Sequence, residues 1–156
     1  MDGTPSRKPT NLYHASIERM QECHRAFDAH EYVLSAYLAG VAVECVLQAL
    51  AMAGGQPHDA RHDLPKWLAK CPAQLQGQIK TGAAEEWSLI VALWDNAFRY
   101  LSTAGFLGYV RDKQANRGIA GGPDAVVREV SRRIRDAADT IHKRGTAQWL
   151  NSTRKS

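Results

Sequence analysis

Four groupings of side chains in this 156-residue chain could do chemistry. The first centres on Glu44, the single charge within residues 33–53, VLSAYLAGVAVECVLQALAMA, whose other polar groups are Ser35, Tyr37 and Gln48. A carboxylate so placed needs a partner, because burial disfavours its charged form. Arg99, whose segment is otherwise apolar, is the available cation, and an Arg–carboxylate pair in the core would offset both desolvation costs. The second grouping, His58, Asp59, His62 and Asp63, has the composition of a metal site. A His-x-x-x-His pair converges only on a helix, however, and Pro57, Gly54, Gly55 and Pro65 make this a turn, so capping and loop packing are expected and no metal. The third places Phe106 and Tyr109 beside Arg111, Lys113 and Arg117, aromatic platforms next to cations that suit unstacked bases and equally a protein partner. The fourth is a cationic stripe on the last predicted helix, Arg128, Arg132 and Arg135, with His142 one heptad after Arg135. Arg135 and His142 lie close to two full turns apart and so project from one side. No phosphate-cradling glycine motif exists, since GIAGG lacks the following lysine and a preceding strand, and no serine sits in a hydrolase elbow. No cofactor is expected.

These groups must be positioned by helices, because helical periodicity runs throughout and no strand-like alternation does. Residues 1–10 are rich in Pro, Ser and Lys and are expected to be a disordered tail. A first helix is expected over about residues 11–29, capped by Asn11, with Tyr13, Ile17, Met20, His24 and Phe27 in one stripe. The second, residues 32–53, is apolar on every face and must therefore be surrounded; Gly54-Gly55 ends it. Asp63 is placed to cap a short helix with Pro65 in its first turn, and Pro72 to end it. A third long helix is expected over residues 83–102, then a long loop over 103–122. Pro123 opens the last helix, with Val127, Val130, Ile134, Ala137 and Ile141 as its apolar series and Gly145 as its stop. The fold class is all-α: one up-and-down bundle of four long helices and one short helix over residues 11–145, followed by a basic tail, 146–156. Ala36, Ala39, Gly40, Ala42 and Ala49 leave grooves for close helix approach. So apolar a second helix is expected to reach past its own chain into a homodimer.

Residues 33–53 are long enough to cross a bilayer, but Glu44 near the middle opposes insertion, and the polar first residues are not those of a signal peptide. A soluble, cytoplasmic chain is expected, with its three cysteines reduced. The charge of +4 is uneven. Residues 1–110 hold nine basic and eleven acidic groups, whereas residues 111–156 hold eleven basic and five acidic ones. The last third is thus a cationic patch suited to an anionic partner such as RNA, or else an ordinary solvated face.

The segments HEYVLSAYLAGVAVECVLQALAMAGG (residues 30–55), HDLPKWL (62–68) and WDNAFRY (94–100) resemble the HEPN family, the higher eukaryotes and prokaryotes nucleotide-binding domain. Its members resemble each other in an apolar second helix of this form, a glycine-ended turn, a His-Asp-Leu and a later Arg-Tyr, here Tyr37 to Leu50, His62-Asp63-Leu64 and Arg99-Tyr100. The likeness covers about residues 12–145. It implies a small helical bundle, usually dimeric, from bacterial defence or toxin–antitoxin modules, often paired with a nucleotidyltransferase. It adds His62 and Tyr100 to Glu44 and Arg99 as buried polar or pocket residues, and makes Tyr100 or Tyr109 the candidate targets of a nucleotidyltransferase partner. Many relatives are metal-independent ribonucleases marked by an arginine, four to six intervening residues and then a histidine. The implied chemistry is acid–base transesterification, the histidine moving protons and the arginine neutralising the phosphorane. Arg19–His24, Arg25–His30 and Arg135–His142 have that spacing, and Arg135–His142 is expected to be the catalytic pair because both residues share a helix side. RYLSTAGF, the segment at Arg99, lacks a histidine, which departs from the family's pattern. Two functions follow: an RNA-cleaving or RNA-binding protein using Arg135 and His142, with Arg128, Arg132, Arg111, Lys113, Arg117 and Tyr109 contacting RNA; or a non-catalytic module that binds a protein or nucleotide.

Overall fold

Pro9, its φ already fixed at a helical value, starts the first helix two residues ahead of the expected cap at Asn11. The computed structural model describes residues 7–155, so most of the expected N-terminal tail lies outside the described residues. α1 is Pro9–Asp28, α2 Tyr32–Ala53, α3 Leu64–Ala69, α4 Ala73–Gly82, α5 Ala84–Leu93, α6 Thr103–Asp112 and α7 Pro123–Thr153, with a 3-10 turn at Asn96–Tyr100 between α5 and α6. No strand occurs among the described residues, and the fold is all-α.

α2 is the core element, as its composition requires. Fourteen of its 22 residues are buried, and α1 and α7 pack along it. Ala36, Ala39, Ala42, Val43, Val46, Leu47 and Ala49 are wholly enclosed. By length and composition α2 could cross a membrane, but 72% of its most apolar window is covered by the chain itself, the surroundings of a core helix. Small residues set the spacing. A Cβ at Gly40 would overlap the indole of Trp94, whose Nε1 donates to the Tyr37 carbonyl at 3.1 Å. Polar side chains tie the three long helices: Ser35 Oγ donates to the Cys23 carbonyl at 2.9 Å, and Ser131 Oγ to that of Tyr32 at 2.7 Å.

Several expected boundaries are corrected. The third long helix is interrupted. Trp94 turns to extended backbone (ψ 137°), and Asp95 Oδ1 accepts the Ala97 N–H at 2.8 Å, so the chain restarts as a 3-10 turn. Asp-Asn here offers the backbone a local side-chain bond that competes with the helical one. Residues 73–82, read only as following Pro72, form α4 and bury Leu75 and Ile79. The expected loop over 103–122 contains α6, capped by Ser102 Oγ from the Gly105 N–H (3.1 Å), with Phe106 and Val110 in the core. Gly105 and Gly108 hide that helix from propensity, and tertiary burial overrides them. Gly145 does not end α7, which runs on to Thr153 through most of the expected basic tail. It is small because Val46 of α2 crosses there: an added Cβ would meet the Val46 methyls at 3.0 Å. Among the described residues the bundle therefore has three long helices, not four, with shorter pieces around them.

Candidate functional site

Where α1 turns into α2, His30 takes a left-handed backbone, φ 63°. The Glu31 N–H reaches back to the Ala26 carbonyl at 2.8 Å and the His30 N–H to that of Phe27 at 3.0 Å. This is the helix-ending motif in which glycine is the usual residue. A histidine there is strained by about 1–2 kcal/mol. Its ring stacks on Tyr32, 5.7 Å between centroids and 19° between planes.

That turn, the 3-10 turn and the start of α7 enclose an open cleft of about 940 Å³. The volume suits a ligand of nucleotide size, since small-molecule sites span roughly 300–1,000 Å³. Tyr32 and Tyr37 line it with aromatic surface and Leu34 with aliphatic, above a floor at the buried Phe98, and Ser102 and Thr103 add hydroxyls. Arg99 and Arg128 border it from different parts of the chain, with the acids Glu31 and Asp124. Arg99 lies over the ring of Tyr100 at 4.5 Å. The ion pairs of α7 among the described residues use Arg132, Arg133, Arg135 and Lys143, which leaves Arg128 in none of them. The cleft can hold an anion beside a flat ring.

The expected core pair Glu44–Arg99 does not form. The break at Trp94–Asp95 carries Arg99 outward, while the 54–63 loop folds back and lays His62 over the acid. His62 Nδ1 donates to the Glu44 carboxylate at 2.9 Å, and Gln48 Nε2 donates to it at 2.9 Å. Burial raises the Glu44 carboxyl above its usual range, and the His62 bond opposes this. His62 is thus brought to the buried acid, whereas Arg99 and Tyr100 are exposed, Tyr100 by 74%. Asp63 caps α3 through the Lys66 N–H (3.1 Å), and Asp59 accepts from Arg61.

Arg135 and His142 share a helix side but do not meet. Their separation of seven residues is about 10 Å along the helix axis. Arg135 stacks over Phe27 at 4.1 Å and pairs with Asp136 at 2.8 Å. His142 is buried between α7 and α1, with Nε2 3.0 Å from Ser16 Oγ. The Ser16 proton is directed at the Tyr13 carbonyl, 2.6 Å away, so Nε2 carries hydrogen and donates. Enclosure pushes His142 down to about 4, against the weaker upward pull of Asp139. A histidine so engaged is a structural strut of the α1–α7 seam. Of the other expected RNA contacts, Arg132 is bridged to Glu129 and Asp136 (2.7 Å each), and Lys113 sits over Tyr109. Tyr109 is no free platform: its hydroxyl donates to the Leu93 carbonyl at 2.9 Å and its ring packs edge-on against Phe98. Phe106 is wholly buried against the same ring. Arg111 and Arg117 are exposed at and after the end of α6, outside the cleft lining.

Sequence reasoning found Arg99 and Arg128 but not what joins them. It assigned His30, Tyr32 and Tyr37 to no site, their only linear signal being an Arg25–His30 spacing and a tyrosine at each end of one helical turn and a half. Comparison with family models, with curated proteins and with solved structures finds no match for this chain.

Proposed function

We propose that this protein is a HEPN-like helical module that binds RNA or a nucleotide in the cleft between the α1–α2 turn, the 3-10 turn and α7, and that binding rather than cleavage is its activity. The observation that carries this is the pairing of the Tyr32 and Tyr37 rings with Arg99 and Arg128 across about 940 Å³. Base stacking on aromatic rings contributes about 1–3 kcal/mol per base, and guanidiniums match phosphate oxygens bidentately. The excess of basic over acidic groups in residues 111–156 would draw such a ligand in. Cleavage is the weaker alternative because Arg135 and His142 stand two turns apart and the imidazole is enclosed. The resemblance in residues 30–55, 62–68 and 94–100 supplies the setting: a bacterial defence or toxin–antitoxin module with an antitoxin or nucleotidyltransferase partner, acting as a homodimer. The partly exposed α2 positions Val41 and Cys45, outside the cleft lining, are the surface that dimer would use.

Fluorescence anisotropy with labelled single-stranded RNA tests the reading. Binding is expected that weakens about tenfold or more in Arg128→Ala and in Arg99→Ala, with a negative salt slope. Incubation with total RNA in EDTA should leave the RNA intact. Failure to bind RNA or a mononucleotide at low salt, or RNA cut by wild type and spared by His142→Ala, would sink it.

A further inference from the structure

Next to the cleft lies a second cavity of about 490 Å³. Arg128, Arg132 and Arg133 line it, together with Glu129 and the chain at Gly118–Ala120. Ala125 and Arg128 border both cavities, so the two lie side by side along the first turns of α7. The second cavity already holds an anion. The Glu129 carboxylate accepts from Arg132 at 2.7 and 2.9 Å and from Arg133 at 3.1 Å. Those bonds, the one from Arg132 first, hold its carboxyl down at about 2 against the opposing cost of burial. Three guanidiniums face one carboxylate, with Asp136 a turn further on beside Arg132. The cavity therefore keeps a net positive charge after its internal pairing is counted.

Spacing decides what could use both cavities. Arg128 and Arg132 are four residues apart on one helix face, about 6 Å along the axis. That is the order of the distance between successive phosphates of an extended strand. An aromatic cleft followed by a row of guanidiniums at this interval suits a base and then its neighbouring phosphate. A mononucleotide would fill the first cavity alone.

Resting on the reading above, we infer that the occupant is a single strand of two or more nucleotides, which places a base in the aromatic cleft, crosses Arg128, and lays its next phosphate on Arg132 and Arg133 in exchange for Glu129. Glu129 is then an internal competitor. Its bridges keep Arg132 and Arg133 extended into the cavity until a phosphate replaces its carboxylate. Removing the carboxylate frees Arg133, and leaves Arg132 held only by Asp136, for the strand and does nothing for a ligand confined to the first cavity.

The test compares uridine monophosphate with a labelled octauridylate, by anisotropy and competition, on the full chain and on Arg128→Ala, Arg133→Ala and Glu129→Gln. Circular dichroism confirms that each variant is folded, and these surface bridges contribute little stability. The octamer should bind at least about tenfold tighter than the monophosphate, the gain of one further charge-assisted contact. Arg128→Ala should weaken both ligands. Arg133→Ala should weaken only the octamer and make its salt slope shallower by about 0.7, one phosphate's share. Glu129→Gln should tighten the octamer several-fold and leave the monophosphate unchanged. Equal affinity for the two ligands, or an octamer indifferent to Glu129→Gln, overturns the inference while leaving a nucleotide-binding cleft standing. Absence of binding by both, or displacement of the octamer by an acidic peptide at equal concentration, overturns the inference and the reading beneath it.

Discussion

His30 carries the most information of any single residue. It occupies a left-handed position that glycine would fill without strain, and its ring lies on Tyr32 at the edge of the cleft. Strain retained at a site is a pointer to function. His30→Gly should raise stability by up to about 1 kcal/mol, through release of the left-handed penalty. The same change should weaken RNA binding, because it removes an imidazole from the cleft lining. Thermal melts and anisotropy on one preparation check both halves, and a variant that gains stability with unchanged affinity would leave His30 outside the site. Arg128 was legible in the sequence as part of a cationic stripe. The strain at His30 was not, because φ at a helix end is set by where the next helix must go.

At the scale of elements, the close approach of helices is written in glycines whose purpose depends on neighbours. Gly40 faces the Trp94 indole, so Gly40→Ala should cost about 1–3 kcal/mol by overpacking, in excess of the gain in helix propensity. Gly77, in the middle of α4, has open space where a Cβ would stand. Gly77→Ala should therefore stabilise by about 0.5–1 kcal/mol. Urea denaturation of the two variants should move the midpoint in opposite directions, and a shift of the same sign would show the Gly40–Trp94 packing to be wrong. The pattern of residues 83–102 reads as one helix because Trp87, Ile90, Trp94 and Phe98 keep a three-to-four spacing. Trp94 and Phe98 are buried as that spacing demands, yet across a break that lets each ring find its own partner.

For the whole molecule, the seam between α1 and α7 depends on a neutral histidine. An unfolded imidazole takes its proton near pH 6.5, whereas His142 in the fold resists until about 4. Between those values the unfolded chain holds the extra proton, so stability falls as pH falls through this window, by up to about 3 kcal/mol. Above the window His142 adds no slope. Glu44 works in the opposite sense: burial raises its carboxyl, so its contribution is present at low pH and lessens as pH rises. Tm measured from pH 7.5 to 4.5 should drop more steeply in wild type than in His142→Gln, whose amide can still donate to Ser16 and cannot titrate. Parallel curves would remove His142 from the account.

Composition and periodicity were enough to establish an all-α chain whose second helix is its core. A helix apolar on every face has no stable place except among other helices, and Asp63, Pro65, Gly55 and Pro123 act on backbone within their own turn. The partners of Glu44, the division of residues 83–102 and the meeting of His30, Arg99 and Arg128 were settled only in three dimensions. Each joins groups far apart in the chain, and the energies that decide such contacts are desolvation and packing, which depend on what else is near and carry no local pattern.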